Sequence, residues 1–258
     1  MPKVFLKTKE EIGFMAEGGK ILGDVVSCTF EKVEPGISTL EIDSLIDKGI
    51  EEFGAEPSFK MVSGYHFASC VGLNNEVVHS IPKKEKIVKE GDILKIDAGV
   101  YLNGYNTDFS WSLKIGKKKG KFESNDFLQS GKEAIKNAVA RAVVGNYVGN
   151  ISGEIQKTIE KGGFKPVMVL TGHGIGKSLH EDPLIPCFLS GKVENTLKLL
   201  NGMTLAIEVI YNQGSPDVVL NNDNWTISTR DGKISGLFEQ TVAITENGPL
   251  ILTPTVFR

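Results

Sequence analysis

The chain has 258 residues, 40% of them hydrophobic, which allows one large domain or two small ones around a sizeable core. Its formal net charge of −3 exerts no general pull on nucleic acid or on an anionic membrane. The opening MPKVFLKTKEEIGFM is broken by charges every few residues, unlike a secretion signal, and no apolar run reaches the roughly 18 residues of a membrane span. Cys28, Cys70 and Cys187 are too few and too scattered for a disulfide framework or a zinc ribbon; they read as thiols of a cytoplasmic protein.

In chain order, apolar residues at helical spacing (Ile12, Met15, Leu22, Val26) predict a helix over 8–32, broken by Pro35-Gly36. A second helix is predicted over about 38–53, started by Ser38 or Thr39 with Glu41 behind it and ended by Gly54. Strands follow at 57–63, 68–72, 93–101 and 106–115, helices at about 124–143 and 151–162, then strands at 166–170, 203–211, 225–229, 234–245 and 249–252.

The order repeats. GISTLEIDSLIDKGIEEFGAEP from Gly36 and GNYVGNISGEIQKTIEKGGFKP from Gly145 share eight of 22 positions without a gap. GDILKID ending at Asp97 is echoed by GMTLAIE ending at Glu208. The expectation is a single domain, 1–258, of two similar halves, about 1–120 and 121–258, with a site at their junction.

Asn103-Gly104, flanked by apolar and aromatic residues, signals a type I′ hairpin. With those two residues in the turn, position 99 opposes Asp108, and Asp97 lies on the same face as position 99. The two aspartates become diagonal neighbours, about 7–8 Å apart at the backbone.

Asp97 in ILKIDAGV, Glu208 in MTLAIEVIY and Glu239 in LFEQTVAI are each framed by residues that favour burial. One buried acid suggests a salt bridge. Three of them plus Asp108 suggest divalent cations instead, because their strands carry only Lys95 and Lys114, both expected to face solvent. Carboxylates with an imidazole suit manganese, iron, cobalt or zinc. The histidines are His66, His79, His173 and His180, all near turns or strand ends, and the residues alone do not choose among them.

The segments NNEVVHSIP, DAGVYLNGYNTD, GHGIGKSLHEDP, the Ile-Glu of AIEVI and DGKISGLFEQTVAIT occur in an order and spacing that resembles methionine aminopeptidase in its short bacterial type I form, over nearly the whole chain. The stretch from His180 to Glu208 leaves no room for the helical insertion of type II enzymes. The resemblance implies an α/β pita-bread fold with pseudo-twofold symmetry, an antiparallel sheet flanked by two pairs of helices. It implies two divalent metal ions (Co, Mn, Fe or Zn) held by Asp97, Asp108, His173, Glu208 and Glu239, with Asp108 and Glu239 bridging. It implies His79 near the scissile amide, His180 on the tetrahedral intermediate, Glu208 as proton shuttle, and a methionine pocket lined by Tyr65, Phe67, Cys70, Leu179 and Trp225. The implied substrates are peptides and nascent chains that start with Met. The implied setting is the cytoplasm: a monomer in transient contact with the ribosome, with no membrane and no specific nucleic acid as partner.

The chain departs from the family pattern at Ser80, Phe109, Leu179, Val209 and Gln240, which bears on the surroundings of the ligands and on the methionine pocket and removes no ligand. Two rivals share the pattern in part. A proline-specific aminopeptidase or prolidase has the same acids and histidine but normally a separate N-terminal domain. A non-catalytic relative that binds ribosomes or RNA loses ligands and gains basic surface, whereas this chain keeps all five and is mildly acidic.

Overall fold

The computed structural model describes residues 3–123 and 125–254; the ends expected for the domain, 1–2 and 255–258, and Ser124, where the third helix was expected to begin, lie outside them. Helix α1, Lys9–Lys32, is opened by Thr8, whose hydroxyl accepts from the Glu11 amide while the Glu11 carboxylate accepts from the Thr8 amide. Ser38 and Glu41 repeat this device at α2, Thr39–Glu52, whose buried face carries Ile42, Ile46 and Ile50.

The strand expected over 57–63 is not formed. Only β1, Glu56–Pro57, joins the sheet, against Val100 and Tyr101. Pro57 brings no amide to continue a ladder, and Ser58–Met61 coils into a 3₁₀ turn. Strand β2, Ser69–Leu73, precedes a short β3, Glu76–Val78, which was not expected. The hairpin of β4, Ile93–Leu102, and β5, Tyr105–Ile115, has the expected register: Leu102 opposes Tyr105 and Gly99 opposes Asp108. Its turn residues take left-handed backbone, φ 52° at Asn103 and 85° at Gly104.

After β6, Phe122–Glu123, come α3, Asp126–Val139, and α4, Val148–Lys161. Of the strand expected at 166–170, only Pro166 is laddered, in β7, Lys165–Pro166. Next are β8, Thr171–Gly174, and β9, Glu181–Pro186; the glycines and prolines of this stretch read as loop, so neither strand was expected. The chain closes with β10, Thr204–Asn212, β11, Val218–Leu220, β12, Ile227–Thr229, β13, Ser235–Thr245, and β14, Gly248–Ile251.

One antiparallel sheet runs β1-β4-β5-β13-β10-β8-β9, and a small one runs β11-β12-β3. Helix α1 packs on β4 and β5; α3 packs on β10 and β13. As β1 flanks β4, so β7 flanks β10. At the centre, β5 and β13 are joined in register only at Ser110–Glu239 and Phe109–Gln240. On either side, hydroxyls replace carbonyls in the ladder. Thr241 Oγ1 accepts from the Asp108 amide at 2.9 Å and donates to the Asp108 carbonyl at 2.8 Å. Ser112 Oγ accepts from the Leu237 amide at 3.0 Å and donates to the Leu237 carbonyl at 2.7 Å.

Candidate metal centre

Strand register alone brings the acids together. Asp97 opposes Ser110, Ser110 opposes Glu239, and Glu239 opposes Glu208, so one row crosses β4, β5, β13 and β10. Asp108, two residues before Ser110, and His173, paired to Ala206 two residues before Glu208, lie on the same face. Like charges directly opposite one another destabilise a sheet, so the Glu208–Glu239 pair needs a neutralising partner. Glycines make room for His173. A Cβ at Gly172 would stand 2.5 Å from the Ala206 carbonyl, and one at Gly174 2.2 Å from that of Asp182.

Asp108, His173 and Glu239 offer ligand atoms that all lie within 4.8 Å of one another, and all three residues are buried. Asp97 and Glu208 line the same cavity, about 370 Å³ in volume, with no lysine or arginine in its wall. Burial pushes the Asp108 carboxyl up to about 7, although the Phe109 amide bonds its Oδ1 at 2.9 Å. Burial, then Asp108, pushes Glu208 up to about 8. Burial and the neighbouring acids raise Asp97 and Glu239 well above the usual carboxylate range. Asp97 Oδ1 and Glu239 Oε1 are buried without a hydrogen-bond partner. Four crowded acids, two of them with an orphaned oxygen, and no cation in the wall form a donor set that fits divalent cations. Lys95 does not relieve it. Expected at the surface, it is instead buried, and its ammonium donates to the carbonyls of Asn74 at 2.9 Å and Ser235 at 3.1 Å.

His173 is prepared as a neutral ligand. Burial, then nearby His180, holds its pKa down at about 4. Its Nδ1 sits 2.9 Å from the Gly174 carbonyl, which can only accept, so Nδ1 carries the proton and Nε2 is free to ligate, 3.9 Å from Asp108. His180 stacks edge-on against it, ring centres 4.4 Å apart.

His79 reaches the mouth of the cavity from a left-handed backbone, φ 53°, that turns the chain out of β3. The protein packed around it, then His180, holds its imidazole below the usual value. His66 is exposed and does not line the cavity. Tyr65, Cys70, Leu179 and Trp225 form an apolar wall, and Phe67 stands behind it, 5.7 Å from the Tyr65 ring. Burial raises the Cys70 thiol well above its usual value, so it remains a thiol. Phe59, Val62, Val78, Val169, Leu170, Thr171, Leu184 and Ile210 complete the cavity. Sequence reasoning missed them, since nothing in their spacing marks a wall contributed by several elements.

Val209, Gln240 and Phe109 each follow a site acid by one residue, so they face the other side of the sheet, where all three are buried. Three of the departures thus lie in the layer beneath the acids.

The family model for metallopeptidase family M24 matches residues 13–246. The methionine aminopeptidase of Clostridium perfringens is 41% identical over 97% of this chain and 98% of its own length. Methionine aminopeptidase 1 of Bacillus subtilis is 40% identical over 97% and 99%. The crystal structure of the Thermotoga maritima methionine aminopeptidase superposes with a TM-score of 0.91 at 36% identity, covering 97% of this chain and 99% of that one. The Pyrococcus furiosus prolidase shares the fold, with a TM-score of 0.77 at 24% identity, and this chain covers 66% of it. The chain therefore belongs to metallopeptidase family M24, and within it to the methionine aminopeptidases of short bacterial type I form.

Proposed function

We propose that this enzyme removes the N-terminal methionine from peptides and nascent proteins, with two divalent cations held by Asp97, Asp108, His173, Glu208 and Glu239. The observation that carries this reading is the row of unneutralised acids with His173 at the floor of a cavity whose other wall is aromatic and sulfur-lined. Asp108 and Glu239 lie between Asp97 on one side and Glu208 with His173 on the other, which supports a role shared between both cations. The nitrogen and oxygen donors suit manganese, iron, cobalt or zinc.

Bound cations supply Lewis acidity at the scissile carbonyl. The other tasks fall to the chain's own groups. Tyr65, Cys70, Leu179 and Trp225, backed by Phe67, hold the methionine side chain, which is long, flexible and polarisable. Such a wall separates methionine from a chain one methylene shorter by about 1–3 kcal/mol. His79 faces the scissile amide. His180 donates toward the carbonyl oxygen as charge develops there. Glu208 carries a proton to the leaving amine.

The domain reading belongs to the same proposal: one catalytic domain of two like halves, about 1–120 and 121–258. It is supported by β1 on β4 matching β7 on β10, and by a helix pair before each. We place the enzyme in the cytoplasm as a monomer that meets its substrates at the ribosome. No helix among the described residues is long and apolar enough to cross a membrane.

The test is cleavage of Met-Ala-Ser and of an Ala-Pro peptide by the metal-loaded protein. Release of methionine from the first is expected. Cleavage of the proline peptide alone overturns the reading in favour of the prolidase rival. Cleavage of neither, with no metal found by elemental analysis, supports the non-catalytic rival.

A further inference from the structure

Among the described residues, the two most exposed large apolar side chains are Val169, 71% exposed, and Leu184, 62% exposed. Both line the cavity of the metal centre. Large apolar groups left in water at the mouth of a site mark a surface that is covered in use. Their neighbours extend the patch: Met168 is 46% exposed, and Leu170 lines the cavity between Val169 and β8. Leu184 opposes His173 in the β8–β9 register, so the patch adjoins the acids directly.

The patch lies apart from the wall assigned to methionine. That wall comes from 59–81 with Leu179 and Trp225; its Cys70 stands on β2 beside β4, at one side of the row of acids, whereas Leu184 stands on β9, beyond β10 and β8 at the other. The cavity thus has two apolar sides with the acids between them. A peptide whose first side chain fills the aromatic side, and whose first amide lies over the acids, continues toward the second side at about 3.3–3.6 Å per residue.

We propose that Val169 and Leu184 form a second specificity subsite, which favours substrates with an apolar third residue. This rests on the aminopeptidase reading above. The occupant is the substrate itself, because the patch is continuous with the cavity in which the first residue is bound. Its energy source is the apolar area removed from water when a leucine side chain covers the two residues.

The test compares Met-Ala-Leu-amide with Met-Ala-Asn-amide, whose third residues are similar in size and differ in polarity. The leucine peptide should show a kcat/KM about fivefold higher. The double substitution V169N/L184N should bring that ratio to about one. Circular dichroism and metal content of the double variant should match the parent. Equal rates on both peptides with the parent enzyme overturn the subsite alone. No cleavage of either overturns the subsite together with the reading it rests on. A concentration-dependent dimer of the parent that V169N/L184N dissociates also overturns it, because the patch then belongs to a second copy of the chain.

Discussion

Asp108, the carboxylate proposed to serve both cations, is fixed at its backbone: its amide and carbonyl are both bonded to Thr241 Oγ1, and its Oδ1 takes the Phe109 amide. D108A should therefore empty both cation positions, which elemental analysis of the purified variant checks; unchanged stoichiometry contradicts a shared role. His79 is expected to act on the substrate and not on the metal. H79A should lower kcat by about 10²-fold with metal content intact; loss of metal would make His79 a ligand. The residues themselves announced the acids, since a carboxylate framed by Ile, Leu and Val is out of place unless something neutralises it. They did not announce His173. What sets it apart from His66, His79 and His180 is the Gly172 and Gly174 backbone that lets β8 close against its neighbours, a property of contacts distant in sequence.

At the level of elements, local chemistry was legible and long-range pairing was not. The Asn103-Gly104 turn fixed the register of β4 and β5, and with it the diagonal of Asp97 and Asp108. Caps at Ser38 and Gly54 bounded α2. In contrast, β3, β8 and β9 owe their strand character to partners far along the chain, and the patterns of Gly172, Gly174 and Pro183 argue for loop. The residues 57–63 show the reverse error, a stretch with Phe59, Met61 and Val62 that Pro57 diverts into a turn. Helix α3 sits directly on the strands below it, because a Cβ at Gly131 would stand 2.4 Å from the Phe238 ring and 2.5 Å from the Tyr211 hydroxyl. G131A should cost about 1–3 kcal/mol in urea unfolding. G13A, in the exposed face of α1 with nothing within 4 Å, should instead stabilise by about 0.5–1 kcal/mol.

For the whole molecule, the crowded acids couple stability to pH and metal. Above pH 6.5 the imidazoles of His79, His173 and His180 no longer contribute, because their folded pKa values lie below the unfolded value of 6.5. Without metal, Asp108 at about 7, Glu208 at about 8, and Asp97 and Glu239, both raised well above the usual carboxylate range, hold protons that the unfolded chain has lost near 3.8 and 4.5. Their raised values mean stability that is lost as pH rises through them. Lys95, pushed down to about 7, acts in the opposite direction but is one group against four. The chelated protein should therefore melt at a lower temperature at pH 8 than at pH 6.5. Saturating manganese or cobalt should reverse that order, since the ligands bind as carboxylates; calorimetry at the two pH values reads both.

The junction of β5 and β13 has a mechanical meaning as well. Two register pairs and the hydroxyls of Ser112 and Thr241 are a thin fastening for the middle of so wide a sheet, and the acids stand across that line. Cations held there as proposed would act as rivets. Their removal should loosen the molecule from its centre outward, with amide exchange quickening at Asp108 and Leu237 while that of Leu22, deep in α1, stays slow.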